Sequence, residues 1–195
     1  SISSDGNTVA IGAQDNDGVG WQAGHVRIYN YNGSSWNQLG NDIDAEAPMD
    51  NSGYSVSLSS DGMIAAIGAP GNDGTATDAG HVRIYEFSSG SWIQLGQDID
   101  GEAGGDDCGV SVSMSDDGSI VAIGAHQNDG NGSASGHVRI YEFSNASWNQ
   151  IGQDIDGEAA GDISGFSISL SSDGFMLAIG AHLNDGVNGT NSGHV

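Results

Sequence analysis

Lysine is absent from this sequence, and Arg27, Arg83 and Arg139 are its only basic side chains besides histidine, set against 26 acidic residues and a net charge of −23. So acidic a chain repels nucleic acid and anionic membranes, which excludes both as partners. It favours cations, basic proteins or a saline surrounding. A single cysteine, Cys108, allows no internal disulfide. Its counterparts elsewhere in the chain are Ser52 and Ser164, so it reads as a small residue at a strand entrance. No apolar run approaches the ~20 residues of a membrane span, and membrane insertion is not expected. Aliphatic and aromatic residues are still numerous enough for a core, so the acidity does not imply disorder.

What the chain has in abundance is repetition. Asp-Gly pairs recur at Asp5-Gly6, Asp61-Gly62, Asp117-Gly118 and Asp173-Gly174, always 56 residues apart. Trp36, Trp92 and Trp148 keep the same step, and Gly-His-Val recurs at Gly24, Gly80, Gly136 and, after one inserted residue, Gly193. Repetition at a fixed period of this size marks a repeat architecture. The 195 residues hold about three and a half units, over 1–56, 57–112, 113–168 and a truncated 169–195. The chain therefore reads as an excerpt of a longer protein.

One unit reads as four strands. Tyr54 to Leu58 alternates large and small residues, and Met63 to Ala69 is a continuous apolar run that suits a strand buried on both faces. Between them, Asp61-Gly62 supplies the positive-φ positions of a tight hairpin. A long loop from Pro70 to Ala79 leads to His81–Phe87, and a short turn leads to Trp92–Gly96. A four-stranded unit with two apolar faces must bury both against neighbours. The expected fold is therefore all-β, a β-propeller of four-stranded antiparallel blades with a 56-residue repeat, about 3.5 blades of it in this chain and a seven-bladed ring needing about twice the length. A flat β-solenoid is the rival, but solenoid coils are usually shorter and lack this meander of hairpins.

The segments Ser52-Gly53-Tyr54-Ser55-Val56-Ser57, Ile67-Gly68-Ala69-Pro70 and Gly80-His81-Val82-Arg83-Ile84-Tyr85 resemble the FG-GAP repeat of the integrin α-subunit propeller. The likeness extends to every unit, as at Ser164-Gly165-Phe166-Ser167-Ile168 with Ile179-Gly180-Ala181. It implies a seven-bladed extracellular propeller used in adhesion, with calcium sites in some blades. The family's calcium cage is a D-x-D-x-D-G loop between the first two strands; here that link is only Ser-Ser-Asp-Gly, or Ser-Asp-Asp-Gly at Ser115 to Gly118. It is too short to wrap a cation that wants six to eight oxygens.

Calcium would then need other ligands, and two motifs offer clustered oxygens. One is Asn-Asp-Gly in the loop between the second and third strands, with Asp17, Asp73, Asp129 and Asp185. The other is Asp-Ile-Asp-Gly-Glu in the connection between units, with Asp100 and Glu102, Asp156 and Glu158, and the degenerate Asp44 and Glu46. The plainer reading of the first is a glycine turn, and of the second a connection anchored by Ile99 and Ile155. Topology places both motifs at one end of the fold, with most of the acids and all six histidines. The three arginines read as structural partners of carboxylates in the same or the next unit, the Gly-His histidines as hydrogen-bonded packing residues, and the repeated tryptophans as core. Trp21 differs, because its counterparts are Thr77 and Ser133. It is a candidate partner contact, with the loop 186–192 the one other unit-specific stretch.

Catalysis generally breaks repeat symmetry, and this sequence mostly keeps it. The arginines of successive units would be spread around a ring rather than converging on a sialidase substrate, and nearly every acid is repeated, which disfavours a glycosidase pair. The sequence thus points to a non-enzymatic, extracellular or cell-surface binding propeller, with Ca²⁺ as the candidate cofactor, taking a protein or glycan ligand or further copies of itself. The alternatives are a structural module of a filament or surface array and, less so, a propeller glycosidase. Asn-X-Ser/Thr sequons at Asn32, Asn131, Asn145 and Asn188 lean toward secretion.

Overall fold

The computed structural model describes residues 1–186 and 189–195; Asn188 and part of the unit-specific loop lie outside them. Among the described residues every regular element is a strand and every pairing between strands is antiparallel. The first sheet holds β1 (Thr8–Ala13), β2 (His25–Tyr31), β3 (Trp36–Gln38) and β4 (Ile43–Asp44). The second holds β5 (Ser55–Leu58), β6 (Ile64–Ala69), β7 (His81–Ser88), β8 (Ser91–Gln94) and β9 (Ile99–Asp100). The third holds β10 (Ser111–Met114), β11 (Ile120–Ala125), β12 (His137–Ser144), β13 (Ser147–Gln150) and β14 (Ile155–Asp156). A two-stranded sheet of β15 (Ser167–Leu170) and β16 (Leu177–Gly180) ends the chain.

Within a sheet the strands run as a meander, and the registers correspond from one sheet to the next. Ile64 pairs Glu86 on β6–β7, as Ile120 pairs Glu142 on β11–β12. The sequence reading missed one element per sheet. The two-residue strands β4, β9 and β14 return to pair with β2, β7 and β12 beyond the short fourth strand, Val82 facing Ile99 for instance. A two-residue strand between aspartates carries no period to detect; the buried Ile43 and Ile99 hold it.

The Asp-Gly hairpins also depart from expectation. Only the glycine takes a positive φ, +72° at Gly62, while Asp61 does not. The aspartate instead accepts hydrogen bonds from Ser59 Oγ at 2.7 Å and the Met63 amide at 2.9 Å, and Ser59 Oγ accepts from the Ile64 amide. The Ser-x-Asp-Gly sequence is thus a side-chain-closed turn.

The sheets stack face to face in chain order, and the core lies between them. Ala10, Val26, Ile28 and Ile43 of the first sheet meet Leu58, Ala65 and Ile67 of the second. Ala66, Val82, Ile84 and Ile99 of the second meet Met114, Val121, Ile123 and Trp148 of the third. Each cluster joins two sheets, so no unit owns a complete core. Glycine sets the spacing: a Cβ on Gly68 would lie 2.0 Å from the Gly109 carbonyl oxygen, and one on Gly12 2.0 Å from that of Gly53. Beside this contact, Ser55 Oγ donates to the Gly109 carbonyl, and Ser111 Oγ to that of Gly165, both at 2.7 Å.

The tryptophans bridge sheets. Trp92 Nε1 donates to the Leu39 carbonyl and Trp148 Nε1 to that of Leu95, both at 2.7 Å. Trp148 is buried, Trp92 half-buried and Trp36 47% exposed, so the expectation of three core tryptophans fails at Trp36, whose sheet has none before it to pack on. Ile155 is likewise 40% exposed rather than a buried anchor, because it faces the last, two-stranded sheet.

Candidate functional site

Loops following β1, β6, β11 and β16 and connections between sheets meet at one end. The Met49 amide donates to the Trp21 carbonyl, and Thr75 Oγ1 to the Gly101 carbonyl. Most of the candidate residues lie here, and the structure gives several of them a local task. Asp17, Asp73, Asp129 and Asp185 each accept a backbone amide of their own loop, from Gln22, Asp78, Ala134 and Asn191. Asn16, Asn72 and Asn128 close the Asn-Asp-Gly turns by accepting from Gly18, Gly74 and Gly130. Buried Asp50, Asp106 and Asp162 accept the amides of Ala47, Ala103 and Ala159, and so brace the inter-unit connection. Trp21 is 63% exposed, as a contact residue requires.

Three groups bring a histidine together with two carboxylates, their nearest ligand-type atoms within 4.8 Å of one another: His25, Asp42 and Asp44; Glu46, His81 and Asp98; Glu102, His137 and Asp154. Asp44, Glu46 and Glu102 of the sequence-derived set therefore converge with partners. Asp17, Asp73, Asp129, Asp185, Asp100, Asp156 and Glu158 join no such group among the described residues. The arginines pair as their spacing implies, but not uniformly. Arg27 grips Asp42 at 2.8 Å, and Arg83 spans Asp98 and Glu46, each at 2.6 Å. Arg139 turns away from Asp154, donating to the Asp100 carbonyl at 2.8 Å and lying 3.8 Å from Cys108 Sγ. Burial pushes that thiol up to about 11, which leaves it protonated and unreactive.

The expectation of hydrogen-bonded Gly-His histidines fails at His137. Both ring nitrogens of His137, and Nδ1 of His126, are buried without a hydrogen-bond partner.

The most distinctive arrangement breaks the repeat. Asp107 stands where the other units have Asn51 and Ile163; His126 stands where they have Gln14, Pro70 and His182. Asp107 sits just before β10 with φ +57°, its amide donating to the Asp78 carbonyl and its carbonyl accepting from the Val110 amide. His126 immediately follows β11, and its Nε2 is 3.8 Å from Asp107 Oδ2. Burial, then the nearby charges of Asp78 and Asp106, pushes the Asp107 carboxyl up to about 6. Burial, then His182, lowers the His126 imidazole below its ordinary value. The two shifts bring a carboxylic acid and an imidazole toward the same pH range, the condition for passing a proton between them and a substrate near neutrality.

The surroundings suit a small polar ligand. Phe166 presents its ring to His126 at 5.6 Å, nearly edge-on, and to His182 at 4.7 Å, while remaining 44% exposed. An open cavity of about 440 Å³ lies beside the pair, lined by Asp106, Gln127, Glu102, Asp129 and Ser133 and not by Asp107, His126 or Phe166. Sequence reasoning missed this pair because it counted the acids and histidines by repeat position. The available signal was an acid at position 107, where the other units have Asn51 and Ile163, and a histidine at position 126 that His182 alone repeats.

No family model and no curated protein matches the chain. Its backbone is similar to that of a protein assigned as a 6-phosphogluconolactonase from Bacteroides uniformis, with a TM-score of 0.50 at 13% identity over 97% of this chain and 68% of that one. The periplasmic gluconolactonase of Pseudomonas aeruginosa aligns with a TM-score of 0.44 at 15% identity, over 91% of this chain and 63% of that one. These findings correct the sequence reading in two respects. The FG-GAP resemblance is not supported, since no family model matches and the structural likeness lies elsewhere. The short Gly- and Ser-rich motifs that suggested it are residues that set sheet spacing and close turns in this chain. The expectation of a non-catalytic adhesion or scaffold module, which leaned on that resemblance, falls with it: the Bacteroides protein of similar backbone is named for an enzyme.

Proposed function

We propose that the chain is part of a β-propeller hydrolase that opens a neutral sugar lactone of the gluconolactone type at the Asp107–His126 pair. The observation that carries this reading is the pair itself: two proton-transfer groups 3.8 Å apart at neighbouring strand ends, with the Asp107 carboxyl raised to about 6. The propeller is supported by face-to-face four-stranded meanders that recur every 56 residues and by the likeness to the Bacteroides protein over 97% of the chain.

In this reading ionised Asp107 takes a proton from water as the oxygen adds to the lactone carbonyl. The imidazole of His126 faces the charge that develops on the carbonyl oxygen and supplies a donor to it. Collapse of the tetrahedral intermediate breaks the ring C–O bond, and the proton held by Asp107 passes to the departing alkoxide. Such general acid–base help is worth about 10²–10⁴-fold. The exposed face of Phe166 gives the sugar ring an apolar surface to lie on. The negative field disfavours a phosphorylated lactone and favours departure of the carboxylate product, so a neutral lactone is the substrate chosen. Exposed sequons at Asn32, Asn131 and Asn145 support a place outside the cytoplasm, and no helix among the described residues is long and apolar enough to cross a membrane.

The test is acid release from glucono-δ-lactone, followed at constant pH above the spontaneous rate, for the parent and for Asp107→Asn and His126→Gln. The reading requires acceleration by the parent and a loss of about 10²-fold or more in Asp107→Asn. A parent no faster than buffer, or variants as fast as the parent, would refute it.

A further inference from the structure

The three groups share the repeated histidine and aspartate, and the second and third add the glutamate of the preceding unit, but they differ in state. In the first two, an arginine occupies the carboxylate: Arg27 on Asp42 at 2.8 Å and Arg83 on Asp98 at 2.6 Å. In the third, Arg139 is drawn to the Asp100 carbonyl and toward Cys108, where the other units have serine. Asp154 is thereby left with one side-chain donor, Gln150 Nε2 at 2.6 Å. Glu102 keeps only a loose approach to Arg139 at 3.6 Å, whereas its counterpart Glu46 meets Arg83 at 2.6 Å.

Beside these two carboxylates stands His137, 1% exposed, with neither ring nitrogen hydrogen-bonded among the described residues. A buried polar atom without a partner costs about 1–3 kcal/mol and needs an explanation. Nδ1 is 3.8 Å from Asp154 Oδ2, and a ligand-type atom from each of the three side chains lies within 4.8 Å of the others.

We infer that Glu102, His137 and Asp154 form a binding site for a borderline divalent cation of the Zn²⁺ class. An imidazole nitrogen with two carboxylates is a donor set for such ions rather than for Ca²⁺, which takes oxygen ligands and more of them. Two donors about 2.1 Å from a tetrahedral zinc lie about 3.4 Å apart, so the 3.8 Å separation closes with a small side-chain adjustment. Glu102, half exposed at the cavity edge, gives the ion its way in. The site includes neither Asp107 nor His126, although Glu102 lines the cavity beside that pair.

Isothermal titration of the EDTA-treated chain with ZnCl₂, and in parallel with CaCl₂, tests the inference. One saturable Zn²⁺ site is expected, weakened at least about 10–100-fold by His137→Gln and by Asp154→Asn. His81→Gln, in the group that Arg83 already neutralises, leaves the affinity unchanged. Co²⁺ gives a second readout: a visible absorption band that is present in the parent and lost in Asp154→Asn, a near-isosteric change at a partly exposed side chain. Absence of saturable Zn²⁺ binding, parent-like affinity in both His137→Gln and Asp154→Asn, or equal weakening by His81→Gln would overturn it.

Discussion

Replacing Gly68 by alanine tests how the sheets are held together. The new Cβ would lie 2.0 Å from the Gly109 carbonyl oxygen, against an ordinary C···O contact of about 3.3 Å, and 2.4 Å from Ser55 Oγ. The obstacle is backbone of the neighbouring sheet, so the strain cannot be relieved by rotating a side chain. Overpacking of this kind costs about 1–3 kcal/mol. Moving the sheets apart also stretches the Ser55 Oγ–Gly109 hydrogen bond, worth about 1 kcal/mol, and thins the dispersion contacts of the adjoining core. The sum is about 2–4 kcal/mol, which for a chain of this size lowers the melting temperature by about 4–16 °C.

Gly180 is the internal control. It occupies the same place in the last, two-stranded sheet, where a Cβ meets only Ser167 Oγ at 2.4 Å, with no facing backbone closer than 3.5 Å. A serine hydroxyl can swing aside, so Gly180→Ala should change stability by no more than about 1 kcal/mol. Thermal melts followed by circular dichroism measure both variants. Equal losses in Gly68→Ala and Gly180→Ala would refute the claim that close sheet approach, rather than strand conformation, requires these glycines.

Asp107 couples stability to pH. Its folded carboxyl titrates near 6 against about 4 when unfolded, so the folded state prefers the proton and stability falls as pH rises from about 4 through 6. Asp107→Asn should therefore raise the melting temperature at pH 8 and change it little at pH 4; the same shift at both would contradict the pKa assignment. Ile163 holds φ +56°, a conformation costly for a β-branched residue, at the position that Asn51 fills in an earlier unit. Ile163→Asn should stabilise by about 1 kcal/mol in a denaturant titration, and destabilisation would show that its side-chain packing outweighs the backbone strain. Trp148→Ala, removing a buried ring that donates to the Leu95 carbonyl, should cost about 3–5 kcal/mol, while the 47% exposed Trp36 should cost far less. Comparable melting shifts for the two would place the core elsewhere.

The sheets were legible in the sequence because period and turn chemistry agree: alternation in Tyr54–Leu58, the apolar run of Met63–Ala69 and the Asp-Gly turns each recur at one step. The two-residue strands were not, since Ile99-Asp100 shows its pairing only when Val82 is brought beside it. The acidic loop end could be placed from topology, but the state of each carboxylate could not. Asp98 and Asp154 have identical neighbours in sequence, yet one is gripped by Arg83 and the other is left by Arg139. Asp107 and His126 were both visible as residues. Their closeness follows from the β10–β11 register, which pairs Ser111 with Gly124 and sets the two strand ends side by side, and the strand reading was not carried to that register.

The most direct measurement of the central claim is the pH dependence of kcat/KM for hydrolysis of glucono-δ-lactone by the parent chain, after subtraction of the spontaneous rate. The account predicts a limb that rises with an apparent pKa near 6 and then levels, as Asp107 ionises in the free protein. A profile that shows no ionisation between about 5 and 7, or that falls as pH rises through 6, would contradict it.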